Sequence, residues 1–211
     1  RMTVAEIIAE PLVTLYPQMK TTEVMEKVFA TMKLVGLSKN QVNRYPQEFS
    51  GGQCQRTGIA RALILEPKVL ICDESVSALD VSIKAQIINL LQELQQKLKL
   101  TILFISHDLG VIKHICNRIL VMYLGNIMEL GEKKTIYSAP LHPYTKALLS
   151  AVPVANPELE KAKVIQLLEG ELPSPVNPPR GCVFHTRCPI ASEECSASRP
   201  IEKIVREHSV S

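Results

Sequence analysis

Two short apolar runs, Val69-Leu70-Ile71-Cys72 and Thr101–Ile105, flank an amphipathic stretch at 81–97 and constrain this chain more than any other feature. An unbroken apolar run of four or five residues reads as a strand buried on both faces, as in parallel sheets covered by helices. Between the runs, Ile83, Ile87, Leu90, Leu91 and Leu94 recur at helical spacing, which predicts a helix with one buried stripe. A strand, a helix, a second strand and a further helix at 109–116 together predict an α/β layered domain with a parallel sheet.

Both runs end in side chains capable of chemistry. Asp73-Glu74 closes the first and Ser106-His107-Asp108 the second, and open α/β sheets place their ligands beyond the carboxyl ends of their strands. Beside a polyphosphate, Asp73 could hold Mg²⁺ while Glu74 orients or deprotonates an attacking water. Acidic residues also end strands simply because strands end at the surface, and a lone histidine is more often a structural hydrogen-bonder. A histidine at the strand end next to a carboxylate pair is a better candidate to contact a γ-phosphate. Ser77-Ala78-Leu79-Asp80 forms a polar turn between them. Ser50-Gly51-Gly52-Gln53 precedes a helix expected over 53–65 and stopped by Pro67. Backbone N–H groups at such a helix start make an anion site, and a flexible loop with an N-cap serine is the plainer reading.

Residues 3–65 read as mostly helical, with Thr22 as an N-cap and Val24, Met25, Val28, Phe29 and Met32 at helical spacing up to Gly36. Further on, Ile119–Tyr123 and Ile127–Leu130 predict two strands turned at Gly125-Asn126, and 142–152 a short helix. Four prolines within Pro173–Pro179 then make a stiff connection to a small tail that holds Cys182, Cys188 and Cys195. The 211 residues carry a net charge of +3 with no basic run longer than Lys133-Lys134, which argues against nucleic acid as a partner. No apolar stretch approaches the roughly 20 residues that span a bilayer. A first residue of Arg1, with no signal-like series behind it, reads as a cropped or cleaved start of a soluble cytoplasmic chain. Its cysteines are then expected as thiols or metal ligands, with Cys54, Cys72 and Cys116 as small buried residues.

In this order, Ser50–Gln53, Val69–Glu74, Ser77–Asp80 and His107 resemble the signature motif, Walker B strand, D-loop and switch histidine of the ATP-binding cassette family. The resemblance implies a P-loop NTPase-like core, incomplete at its N-terminus, with a helical subdomain at 1–65, the α/β core at 66–138 and a C-terminal extension at 139–211. It implies that Asp73 binds Mg²⁺ through water, Glu74 polarises the hydrolytic water, His107 touches the γ-phosphate, and Asp80 belongs to the nucleotide site. Ser50, Gly51, Gly52 and Gln53 would act on ATP held by a partner cassette. A G-x-x-x-x-G-K-[ST] loop does not occur in the chain. The family places it upstream, so ATPase activity is expected of the intact protein and not of these residues alone. Ser75 stands where the family usually has proline, which loosens the turn at Glu74.

The segments Pro140–Leu149, Leu167–Pro175 and Gly181–Pro189 are similar to the C-terminal extension of the oligopeptide, dipeptide and nickel importers, those of oligopeptide permeases above all. That resemblance implies an ATP-binding and hydrolysing subunit that powers import of oligopeptides, partnered by a second, homologous ATPase subunit and two membrane-spanning permease subunits and served indirectly by an extracytoplasmic peptide-binding protein. The chain would sit peripherally on the cytoplasmic face of the inner membrane. In those importers the cysteine tail is associated with a [4Fe–4S] cluster, whose fourth cysteine would follow Ser211. Small modules spaced C-x₅-C-x₆-C often need a metal to stay folded. Zinc with His185 or His208 as fourth ligand, and three free thiols, are the other readings. Two other functions compete with import: a cassette ATPase that moves no cargo, and a non-catalytic docking or redox-sensing module.

Overall fold

The computed structural model describes residues 2–154, 156–205 and 208–210. It forms two compact units, one up to Val111 and the other from Ile112.

The first unit begins with three helices. α1 (Val4–Leu15) starts at a capping box in which Thr3 and Glu6 satisfy each other's backbone N–H. α2 spans Thr21–Leu34 and has Lys20 as its N-cap, without a side-chain cap; Thr22, expected in that role, already lies inside the first turn. Gly36 takes φ +74°, the left-handed conformation that ends helices at little cost for glycine. α3 runs Gly51–Leu63, starting two residues earlier than expected. Val4, Ile8 and Leu12 of α1, Val28 and Met32 of α2, and Ile59 and Leu63 of α3 are buried.

The expected strand–helix–strand unit follows, as β1 (Val69–Asp73), α4 (Val81–Leu98) and β2 (Thr101–Ile105). β1 and β2 pair in parallel, with Asp73 opposite Ile105. α4 buries Ile87, Ile88, Leu90, Leu91 and Leu94, while Ile83 is only half-buried. The strands depart from the expectation of burial on both faces. Leu70, Cys72 and Phe104 are buried, but Ile71 is 63% and Leu103 53% exposed. Among the described residues this sheet has only these two strands, so one face lacks a covering layer.

α5 (Leu109–Ile115) crosses from the first unit into the second. β3 (Arg118–Tyr123) and β4 (Asn126–Glu132) are antiparallel, with a register shift between Val121 and Met122. The turn falls on Leu124-Gly125, one residue before the expected pair, because those two adopt φ +47° and +75°. α6 (Lys133–Ser138), α7 (Pro143–Ser150), α8 (Pro157–Ala162) and α9 (Glu193–Ala197) follow, then β5 (Lys203–Val205) and β6 (His208–Val210). The sheet order is β3-β4-β6-β5, antiparallel throughout: the expected β3–β4 hairpin is extended by two short strands that the sequence pattern did not indicate. Its core centres on Phe184, fully buried, with Tyr123, Met128 and Cys182. The Phe184 ring lies 5.2 Å from Tyr123 and 5.4 Å from Tyr144, at the tilted and edge-on angles aromatic pairs favour.

Candidate functional site

The parallel register of β1 and β2 brings both chemical strand ends to one edge of the sheet. Glu74 is the first residue beyond β1; its N–H donates to the Ile105 carbonyl at 3.0 Å, which ties it to the end of β2. Its φ of +46° lies in the left-handed region, where a side-chain-bearing residue costs about 1–2 kcal/mol. Such strain persists where the surroundings over-determine it, and here the Ser77 N–H and hydroxyl both donate to the Glu74 carbonyl. The result aims the carboxylate at His107, whose Nδ1 lies 3.0 Å from Glu74 Oε1. Both side chains remain open to solvent, His107 at 78% and Glu74 at 41%. Asp73, at the tip of β1, is exposed beside them.

The loop after β2 is held by its own hydrogen bonds. The Ser106 hydroxyl accepts from the Asp108 N–H at 3.0 Å, and Asp108 accepts from the Val111 N–H at 3.2 Å at the start of α5. Lys84 of α4 donates to the Asp108 carboxylate at 2.9 Å. That hydrogen bond holds the Asp108 carboxyl below its ordinary range, against the partial burial that pushes it up. The Lys84–Asp108 pair, which fixes His107's backbone from the following residue, gave no sequence signal: its members are 24 positions apart, with no periodic relation.

Ser50 is the N-cap of α3. Its hydroxyl accepts from the Gln53 N–H at 3.4 Å, and Gln53 Oε1 accepts from the Ser50 N–H at 3.1 Å. Gly51 and Gly52 are the first two helical residues, whose N–H groups have no intrahelical acceptor. Both readings of this stretch are thus compatible with the geometry, since a reciprocal cap and an open helix start coexist. A Cβ on Gly51 would touch Leu79 at 3.4 Å, and one on Gly52 would meet Ile83 at 2.7 Å. The helix start therefore lies against the turn 77–80 and the first turn of α4, which Asp80 caps by accepting from the Ile83 N–H at 3.0 Å. Ser75 is half-buried next to Cys72, whose thiol burial pushes up in pKa. Of the other two cysteines expected to be buried, Cys54 and Cys116 are only half-buried, Cys54 donating to the Pro46 carbonyl at 3.5 Å.

In the second unit Cys182, Cys188 and Cys195 share the Phe184 core, and the Cys182 N–H donates to the Cys195 carbonyl at 2.8 Å. Burial pushes the Cys188 thiol up in pKa, with Cys182 and Cys195 adding to the effect; hydrogen bonding to Ser192 pulls Cys195 down. Among the described residues they do not close into a group of three or more His, Cys, Asp or Glu side chains able to hold a metal ion. The histidines named for zinc are engaged elsewhere: His185 Nδ1 with the Cys182 carbonyl at 2.7 Å, His208 Nδ1 with Glu129 at 2.7 Å. As arranged among the described residues, these side chains do not form a metal site. No described helix is long and apolar enough to cross a membrane.

The family model for the ABC transporter matches residues 1–77, and that for the oligopeptide/dipeptide transporter C-terminal region matches 128–195. A solved structure of CbiO1 from Clostridium perfringens, part of the ABC transporter complex CbiONQ, is 28% identical with a TM-score of 0.58, over 65% of this chain and 53% of that one. The dimeric cassette MJ0796 in a post-hydrolysis state, bound to ADP and Pi, is 28% identical with a TM-score of 0.55, over 63% of this chain and 57% of its own. The fold of the chain is that of the ATPase core of ABC transporter cassettes. Along its whole length it is similar to proteins named oligopeptide transport ATP-binding proteins. It is 65% identical over all 211 residues to the one named OppF from Escherichia coli K12 and spans 63% of that protein's length.

Proposed function

We propose that this chain is part of the ATP-hydrolysing subunit that powers oligopeptide import, and that Glu74 and His107 form its hydrolytic pair. The observation that carries the reading is the 3.0 Å contact between those two side chains, made by a strained Glu74 at the end of a parallel strand. In this reading Glu74 orients the attacking water and accepts its proton, while His107 holds the carboxylate in place and reaches toward the γ-phosphate. Asp73 would hold Mg²⁺, which supplies charge neutralisation at the phosphates. Ser50, Gly51, Gly52 and Gln53, with Asp80 beneath them, would present the α3 start to ATP bound by a second cassette.

The three-part division at 65/66 and 138/139 goes with this proposal, the first part for the helical subdomain and the last for the importer-specific extension. A homologous second ATPase subunit, two membrane-spanning permease subunits and, indirectly, a peptide-binding protein are the partners it calls for. The site of action is then the cytoplasmic face of the inner membrane. The relatives' oligopeptide transport names and the dimeric cassette among the structural neighbours support these partners. The exposed apolar row of Ile71 and Leu103 supports a longer cassette, in which further chain covers the sheet.

The test is ATP turnover by the full-length subunit assembled with its partners, wild type against Glu74→Gln. Loss of general-base function predicts a fall of about 100-fold or more with nucleotide binding retained. Turnover unaffected by the substitution would remove Glu74 from the mechanism. An assembled complex with no turnover at all would favour a non-catalytic docking role.

A further inference from the structure

A second carboxylate–imidazole pair lies in the other unit, and nothing in ATP hydrolysis uses it. Glu129 of β4 is 0% exposed, and His208 of β6 is 1% exposed. A carboxylate so deeply buried is costly unless its lone pairs are met. Those of Glu129 are met from two directions. Oε1 accepts from His208 Nδ1 at 2.7 Å and from the Leu141 N–H at 2.9 Å, and Oε2 accepts from the His142 N–H at 3.1 Å. One side chain thus grips both the C-terminal strand and the start of α7.

Each grip matters because the element held has little else. Among the described residues β6 meets β4 through two register pairs, Glu129 with Val210 and Leu130 with Ser209. β5, the outer strand of that hairpin, is exposed at all three residues and so contributes no core of its own. At the other end, His142 caps α7 by accepting from the Tyr144 N–H at 3.1 Å. Tyr144 packs against Tyr123 at 4.8 Å and Phe184 at 5.4 Å, and the His142 ring lies 5.4 Å from Phe184. Phe184 shares its core with the 9%-exposed Cys182.

We propose that Glu129 and His208 form a buried latch that fastens the C-terminal hairpin to the sheet and, through the Leu141 and His142 N–H groups, keeps the aromatic core around Cys182 closed. An ionised carboxylate only accepts hydrogen bonds, so the proton of the contact sits on His208 Nδ1. His208 Nε2 has no partner among the described residues. Opening the latch frees the hairpin and loosens the start of α7, which exposes the Cys182 thiol. Glutamine cannot replace the carboxylate, because its NH₂ would face backbone donors that require an acceptor.

The full-length subunit carrying Glu129→Gln, His208→Leu or both would be compared with wild type by hydrogen exchange and by alkylation of Cys182 with iodoacetamide. Loss of one charge-assisted buried contact predicts about tenfold faster exchange in peptides covering 203–210, with β1 and β2 unchanged. Cys182 alkylation should accelerate by a similar factor. If the two residues act as one unit, the double variant matches the larger single effect instead of multiplying both. Exchange at 203–210 within twofold of wild type, or multiplying effects, overturns the latch. Imidazole nitrogen shifts of the unaltered protein supply a readout independent of any variant. They should show His208 protonated at Nδ1, and a bare Nδ1 overturns the proposal even if the variants fail to fold.

Discussion

Gly181 offers the sharpest test of how the cysteine segment closes. It adopts φ +70°, and a Cβ added there would lie 2.8 Å from the carbonyl carbon and oxygen of Ser196, with the Cys195 carbonyl oxygen nearer still. Those are backbone atoms, which cannot swing aside as a side-chain tip would. Alanine therefore incurs two costs. The left-handed backbone costs a residue with a Cβ about 1–2 kcal/mol. The required shift also breaks the Cys182 N–H to Cys195 carbonyl bond, a further loss of about 0.5–1.5 kcal/mol. Gly125 separates the two costs, because its φ is +75° and a Cβ there meets nothing within 4 Å. Gly125→Ala should show the backbone cost alone. Urea unfolding followed by tyrosine fluorescence suits the measurement, since the chain has no tryptophan and Tyr123 and Tyr144 both line this core. The expectation is that Gly181→Ala loses about 1.5–3.5 kcal/mol and exceeds Gly125→Ala by about 0.5–1.5 kcal/mol. Equal losses would show that the 181 and 195–196 backbones do not approach as described.

Phe184→Ala removes a fully buried ring that contacts Tyr123, Tyr144 and His142. It should destabilise the second unit by about 3–5 kcal/mol, read as the shift in its urea midpoint. The pH dependence set by Asp108 has a definite sign. Its folded carboxyl lies below the ordinary value through the Lys84 hydrogen bond, so its stabilisation is present above about pH 4 and is lost as pH falls through the folded value. Both side chains are partly exposed, so the contribution is about 0.2–1 kcal/mol and shrinks in 1 M salt. Lys84→Met should abolish that part of the acid dependence in stability curves taken from pH 2 to 6.

The first unit was largely legible in the sequence because its elements follow local rules. The period of Ile87, Leu90, Leu91 and Leu94 specified α4, and two apolar runs specified β1 and β2. What the runs could not specify was coverage: an apolar strand looks the same whether or not a layer lies over Ile71 and Leu103. The helix starts shifted by one or two residues because caps are decided by hydrogen bonds. Lys20 caps α2 by backbone conformation alone, and the Ser50–Gln53 box opens α3 two residues early. In the second unit the β3–β4 hairpin was legible from its turn, while β5 and β6 escaped notice because they are three residues each and β5 is exposed throughout. Glu129 was illegible for a related reason. A glutamate in a short strand reads as solvent-facing, and only a histidine 79 positions later shows why it is buried.

The two carboxylate–imidazole pairs show how burial divides one chemistry into two uses. Glu74 and His107 meet at 3.0 Å with both side chains open to solvent, so water can reach either and the carboxylate keeps lone pairs available. Glu129 and His208 meet at 2.7 Å without solvent, and every acceptor direction used by Glu129 points to a fixed donor. The first geometry suits a group that must gain and release a proton, since exposure keeps both charge states accessible. The second suits a fixed joint, since any change of protonation there would strand a buried donor or charge. Backbone geometry agrees with this division. Glu74 occupies a strained left-handed conformation of the kind that collects at functional sites, whereas Glu129 lies inside β4, paired with Val210 of β6. Exchanging the environments would exchange the consequences. Loss of Glu74 should alter turnover with little effect on folding, and loss of Glu129 should loosen the C-terminal hairpin and leave the β1–β2 edge as it is.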